Sequence, residues 1–189
     1  MTDTAIKAVA IGASAGAVQT LLRILPSLPA RFPLPVLIVV HVPPDRDNAL
    51  VALFADKCAL AVKEAEDKEQ AVGGTIYFAP SDYHLLVEAD GFLALSMDEP
   101  VNHSRPAIDV LFESAADSYQ SGLMGIVLTG ANHDGAAGLR AVAQAGGQAI
   151  VENPATAETS AMPEAALAAC PDARIRDVEG IVSILLELA

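Results

Sequence analysis

The chain has 189 residues, 52% of them hydrophobic, with 11 basic and 24 acidic side chains and a formal net charge of −13. That length suits one domain, 1–189, with a sizeable core and leaves no comfortable room for two. The acidic balance argues against a broad phosphate-binding surface and hence against nucleic acid as a partner. No apolar run reaches the roughly 18–20 residues that a membrane helix needs, so direct membrane insertion is not expected.

Apolar runs alternate with helical patterns from the first residues onward, the arrangement of βαβ units around a parallel sheet. The spacing predicts a strand over 6–12, a helix over 15–25, a strand over 35–42 and a helix over 46–57. Pro26, Pro29, Pro33 and Pro35 punctuate the first helix-to-strand crossover, because proline interrupts helices and holds its predecessor extended. The acidic run KEAEDKEQ, residues 63–70, reads as a solvated surface segment.

The middle of the chain differs. GGTIYFAP and HLLVEADGFLALSM read as short alternating strands, and the Asp-Gly pair in the second marks a hairpin, so an antiparallel edge is expected there. Alternation then resumes with a helix over 107–120, a strand over 124–129, a helix over 136–145 and a strand over 148–151. Two helices, over 162–169 and 178–188, close the chain. The fold class expected is α/β: a doubly wound, mostly parallel sheet flanked by helices, with an antiparallel hairpin edge.

MTDTAIKAVAIG lacks the basic start that leads into a signal-peptide core, which makes the cytoplasm the expected compartment. Cys58 and Cys170 stand far apart, with no CxxC or metal-type spacing, and read as buried reduced thiols.

Three strand ends carry candidate chemistry. Gly12-Ala13-Ser14-Ala15-Gly16 is a GxSxG segment after a strand and before a helix, where small neighbours permit a sharp turn and the hydroxyl projects from the sheet edge. The same turn suits a bound anion, or a serine that simply caps the helix. It lacks a Gly-Lys-Ser/Thr ending and a GxGxxG pattern. A dinucleotide site would also place an acidic residue at the end of the second strand, where this chain has His41.

His41 precedes Pro43 and Pro44, so it sits at the carboxyl end of strand two. A right-handed crossover brings it to the same rim as Ser14, as a base beside a hydroxyl or as a strand-end histidine bonded to backbone. Asp134, in GIVLTGANHDGAAGL, follows a third strand. It can orient an imidazole and support its charged form, or cap the helix starting near Gly135, and the two roles are compatible. The order Ser14, His41, Asp134 is not that of α/β-hydrolases, and chain order does not decide a triad.

The other histidines read as supporting residues. His84 opens a hairpin strand and is structural or at the surface, and His103 lies in the loop PVNHSRP. His133 adjoins Asp134 as an HD pair, but no HxH, HExxH or cysteine cluster accompanies it, so no metal and no cofactor is expected.

AIGASAG, HVPP, VKEAEDKE, IYFAPSDYHL, PVNHSRPAIDVLFES, GIVLTGANHDGAAGL and AMPEAAL together resemble, in order, the catalytic domain of the CheB family of chemotaxis protein-glutamate methylesterases. The resemblance runs from about Ile6 to the closing helices. It implies a serine hydrolase that removes methyl from glutamate γ-methyl esters on the cytoplasmic helices of methylated chemoreceptors, releasing methanol, with deamidation of receptor glutamines as a second reaction. Carried over by motif position, the family's serine, histidine and aspartate fall on Ser14, His41 and Asp134. The backbone amide of Ala131, with Ala15 beside it, takes the place of the oxyanion donors.

Three positions depart from the family pattern. Ala17 stands where a second glycine is common after the serine, and its methyl is expected to crowd the substrate approach or shift the helix start. Ala131-Asn132-His133 replaces the usual Met-Gly-x before the aspartate, and His103-Ser104 stands where Arg-His is frequent. Family members also commonly carry an N-terminal receiver domain, whereas the first strand here begins within about six residues of Met1. The chain is therefore expected to be a free-standing domain, constitutively open or controlled by a response-regulator partner in trans, or else a fragment. The alternative to an enzyme is a non-catalytic α/β module that binds protein through the same cleft.

Overall fold

In the first strand, small and branched apolar residues alternate between two faces, and both faces are buried. Ala8 and Ala10 pack into one hydrophobic cluster, whereas Val9, Ile11 and Ala13 pack into another. Such double burial calls for a parallel sheet covered by helices on both sides. A computed structural model describes residues 5–41 and 49–189 and has this architecture.

The elements in chain order are β1 (Ala8–Ala13), α1 (Ala17–Ile24), β2 (Val36–Val40), α2 (Ala49–Lys57), β3 (Ala61–Glu64), β4 (Thr75–Phe78), β5 (His84–Val87), β6 (Leu93–Ser96), α3 (Ile108–Tyr119), β7 (Leu123–Val127), α4 (Ala136–Gln144), β8 (Gln148–Glu152), α5 (Ala161–Ala169), β9 (Arg174–Arg176) and α6 (Val178–Leu186). Seven strands form one sheet in the order β3-β4-β2-β1-β7-β8-β9, with every pairing parallel. One face carries α3, α4, α5 and the hairpin through Leu85, Ile108, Phe112, Leu139 and Met162. The other carries α1, α2 and α6 through Leu21, Phe54 and Ile181.

The expected doubly wound α/β class is the observed one, with three local differences. The antiparallel hairpin β5-β6 makes a two-stranded sheet of its own, and its Leu85, Val87 and Leu93 pack into the cluster built around α3. TIYF belongs to the main sheet: β4 is buried on both faces between β3 and β2. The acidic run is not wholly solvated, since Lys63 and Glu64 complete the edge strand β3 and Ala65 is buried. There Lys63 donates to Glu66 and Glu69 at 2.8 Å each, and these two carboxylates hold the ammonium proton tightly and raise its pKa.

Helix α1 ends sooner than its apolar pattern suggests, because the chain tightens into a 3-10 turn at Leu25–Ser27, where Pro26 supplies no N–H. Val42 and the start of the second predicted helix, 46–48, lie outside the described residues. Among the described residues, no helix is long and apolar enough to cross a membrane.

The sheet order decides where a site can form. From β1 the chain passes on one side to β2, then to the edge strand β3 and back to β4, and later returns to place β7 on the other side of β1. The strand order therefore reverses at β1, and ligands of open α/β sheets bind at such a switch point, outside the carboxyl ends of the strands.

Candidate active site

Ser14 directly follows β1, His41 directly follows β2, and Asp134 lies in the turn between β7 and α4. These are three adjacent strands with β1 in the middle. Backbone bonds across the strand ends fix their relative heights. His41 N–H donates to Ala13 O at 3.2 Å, Leu128 N–H to Gly12 O at 2.9 Å, and Ser14 N–H to Thr129 O at 2.9 Å. Thr129 is pinned in turn, its N–H donating to the buried Glu152 carboxylate at 2.7 Å and its hydroxyl to Ala15 O at 2.8 Å. Burial pushes the Glu152 carboxyl above its ordinary pKa, against the opposing Thr129 bond and the charge of Arg23.

The serine turn has its own logic. Gly16 takes φ 82°, a left-handed conformation that costs glycine little, and α1 begins at the next residue. The helix starts two residues later than the expected Ala15. Ala17 is the first helical residue, 3% exposed, and its methyl packs with Leu21 and Ile24 while bordering the cleft. The Ser14 side chain caps nothing, for Gly16 holds the N-cap position without a side-chain bond.

Asp134 has no exposed surface, and its carboxylate accepts four hydrogen bonds. Oδ2 receives His41 Nε2 at 2.7 Å and Ile108 N–H at 2.6 Å, while Oδ1 receives Asn102 Nδ2 at 2.8 Å and Asp109 N–H at 3.1 Å. Two of these donors are the free amides opening α3, so Asp134 serves the N-terminus of α3. The α4 cap is left to Gly135, which makes no side-chain bond, in place of the cap expected from Asp134. Burial opposes the Asp134 charge, but the bonds from His41, Ile108, Asn102 and Asp109 outweigh it and hold the carboxyl below its ordinary pKa.

Asn102 bridges two buried acids, donating to Asp109 Oδ2 as well, at 2.8 Å. Asp109 Oδ1 in turn accepts Gly138 N–H at 2.6 Å, which ties α3 to α4. Sequence alone assigns no role to Asn102, Asp109 or Asn132. The signal for Asn102 was a polar side chain six residues before a helix whose N-terminus faces the aspartate turn, and it becomes visible only once α3 is packed against β1. Gly12 permits that packing, since a Cβ there would collide with Ile108 Cγ2.

The His41 ring bonds side chains and not backbone. Its Nε2 is committed to Asp134, and its Nδ1 lies 3.3 Å from Asn132 Nδ2. Ser14 and His41 line one cleft of about 200 Å³ together with Gly16, Ala17, Leu50 and Glu158. Among the described residues, Ser14 Oγ makes no hydrogen bond. Reacting groups in unliganded sites are often loosely engaged in this way. The backbone N–H groups of Ala15 and Ala131 donate to no acceptor among the described residues, and both residues are exposed.

The remaining histidines lie apart from this arrangement. His84 is buried, accepting from Ala107 N–H on Nδ1 at 3.2 Å and donating from Nε2 to Glu99 O at 3.0 Å, whereas His103 and His133 are exposed. No group of three or more His, Cys, Asp or Glu among the described residues is placed to hold a metal ion. Cys170 is buried and Cys58 half-buried, and neither is in a disulfide.

The family model described as CheB methylesterase matches residues 9–185. The chain belongs to the CheB methylesterase family. It is 42% identical over 182 residues to a Leptospira interrogans protein provisionally named protein-glutamate methylesterase/protein-glutamine glutaminase, covering 96% of this chain and 94% of that one. To the protein-glutamate methylesterase/protein-glutamine glutaminase of Salmonella typhimurium it is 37% identical over 164 residues, 85% of this chain and 47% of that relative. The chain thus spans nearly the whole of the first relative and about half of the second. The crystal structure of the Thermotoga maritima CheB methylesterase catalytic domain superimposes with a TM-score of 0.92 at 34% identity, covering 98% of this chain and 100% of that one.

Proposed function

We propose that this CheB-family chain is one catalytic domain that hydrolyses glutamate γ-methyl esters on the cytoplasmic helices of methylated chemoreceptors, with receptor glutamine deamidation as its second reaction. The observation that carries the proposal is the ionised, fully buried Asp134 bonded to His41 at the rim where Ser14 ends β1. The apolar flank of the cleft, with Ala17, Val18, Val40 and Leu50, suits a neutral ester side chain.

The reaction runs as acyl transfer. Ser14 Oγ attacks the ester carbonyl carbon while His41 Nδ1 takes its proton, and Asp134 stabilises the resulting imidazolium through Nε2–H. The amides of Ala15 and Ala131 are the donors proposed for the oxyanion, and their freedom from acceptors among the described residues supports that role. Collapse of the tetrahedral intermediate breaks the bond to methoxide, which receives the proton from Nδ1 and leaves as methanol. Water then attacks the acyl-serine with His41 as base, releasing the glutamate carboxylate and restoring Ser14. The reading places the protein in the cytoplasm, beside its methylated receptor substrate.

The test is methanol release from methylated receptor by the wild type and by Ser14→Ala, with a serine-directed phosphonate as a second readout. Wild-type turnover and labelling, both lost in Ser14→Ala, are expected. Neither methanol nor labelling from the wild type would favour a protein-binding module.

A further inference from the structure

Among the described residues, Asn132 is the one whose side chain reaches the His41 nitrogen that Asp134 does not hold. Its carboxamide orientation is fixed by a neighbour: Oδ1 accepts Asp134 N–H at 3.0 Å, so the oxygen is committed and Nδ2 must face the imidazole. The imidazole tautomer is fixed as well. The Asp134 carboxylate, ionised and saturated with donors, requires a hydrogen on Nε2, and a neutral ring then carries its lone pair on Nδ1. The 3.3 Å contact is therefore a hydrogen bond from Asn132 to the lone pair that must receive the Ser14 proton. Ser14 Oγ, without a hydrogen bond among the described residues, is the competing donor.

We propose that Asn132 is a positioning residue that restrains turnover, holding His41 Nδ1 in the resting enzyme and yielding it to Ser14 only when substrate is bound. The proposal rests on the acyl-transfer reading above. Once Nδ1 has taken the serine proton, it and Asn132 Nδ2 are both donors and no longer attract each other. The contact thus stabilises the ground state and is lost in the transition state, which raises the barrier to acylation. Asn132 stands where the resembled family pattern has glycine, a residue with no carboxamide to offer. Among the described residues, the charged groups around the ring are Asp134 in contact, Asp109 one hydrogen bond beyond through Asn102, and Glu158 in the shared cleft. All are acids, so no cation among the described residues takes over the role of Asn132.

The test measures the rate of Ser14 labelling by a phosphonate in the wild type, Asn132→Ala and Asn132→Asp, with Ser14→Ala as the unlabelled control. Nitrogen-15 spectra of the histidine rings are recorded on the same proteins. Asn132→Ala frees the lone pair and is expected to label about threefold to tenfold faster, the range that losing one neutral hydrogen bond supports. Its Nδ1 resonance is expected to move toward that of an unbonded lone pair while Nε2 keeps its proton. Asn132→Asp retains the acceptor for Asp134 N–H but presents oxygen to Nδ1, favouring a proton there, and is expected to label more slowly than wild type. The opposite pattern, slower labelling in Asn132→Ala and wild-type labelling in Asn132→Asp, would show that Asn132 merely supports its turn and would overturn the proposal. An unchanged Nδ1 resonance in Asn132→Ala would overturn it too. If the wild type fails to label at all, the serine reading falls and the proposal with it. If the wild type labels and Asn132→Ala is no faster, only the proposal falls.

Discussion

His41 presents Nε2 to Asp134 Oδ2 at 2.7 Å, which leaves Nδ1 as the ring nitrogen that Asp134 does not engage. The carboxylate that sets this orientation receives only donors, from His41, Ile108, Asn102 and Asp109. Asp134→Asn would turn an NH2 toward at least one of them, and wherever it faces His41 it would impose the other tautomer. The expected result is a fall in methanol release of about 10³–10⁴-fold. A lowered melting temperature should accompany it, because a buried donor is left unsatisfied. Parallel rate and thermal-unfolding measurements check both.

Asn102→Ala tests the bridge between the two buried acids. The Asp134 carboxyl is held below its ordinary pKa, so its stabilising contribution is fully present above the unfolded-state value and is lost as pH falls through the folded one. Removing the Asn102 donor shrinks that depression. The stability gap between wild type and Asn102→Ala should accordingly be widest near neutrality and close on acidification. Urea unfolding at pH 7 and at about pH 3 reads the difference. A gap of equal size at both would show that Asn102 acts through packing alone.

Glu152 has the opposite sign. Burial raises its carboxyl pKa, so the folded state disfavours its charge, and stability is lost as pH rises from the ordinary glutamate range through the raised value. Glu152→Gln keeps an oxygen for Thr129 N–H and removes the charge. A melting temperature higher by about 2–4 °C at pH 7, with the gain vanishing in acid, is the expected outcome. Differential scanning calorimetry across that range decides it.

The glycine-for-alanine question after the serine has a structural answer. Ala17 is helical and packed against Leu21 and Ile24, so Ala17→Gly should lower stability by about 1 kcal/mol through helix propensity, without restoring any needed backbone freedom. Gly16→Ala should cost more, because the residue has φ 82° and its new Cβ would lie 2.8 Å from Glu158 Oε2. Denaturant unfolding of the two variants ranks them, and a more stable Ala17→Gly would contradict this account.

The positions of Ser14, His41 and Asp134 at strand ends were legible because apolar runs that stop at a polar residue mark the rim of a parallel sheet. Their partners were not. Asn102 and Asp109 reach Asp134 only because α3 docks its N-terminus against β1, a contact between segments nearly a hundred residues apart in sequence. Which imidazole nitrogen faces which neighbour depends on side-chain packing that no spacing encodes. Strands β3 and β9 escaped for a different reason. Lys63 and Glu64 in one, and Arg174 and Arg176 in the other, face water at the sheet edges, where the apolar signal of a strand is weakest.

The central place of β1 also bears on how the protein is made. Its pairing with β2 is local in sequence, but its other edge waits for β7, whose residues leave the ribosome more than a hundred positions later. Until then Ser14 lacks the Thr129 carbonyl that anchors its amide, and His41 lacks the Asp134 carboxylate that it bonds. On the proposed reading, a nascent or truncated chain therefore carries the serine without the groups that would activate it, and hydrolytic competence would arrive only with the last third of translation.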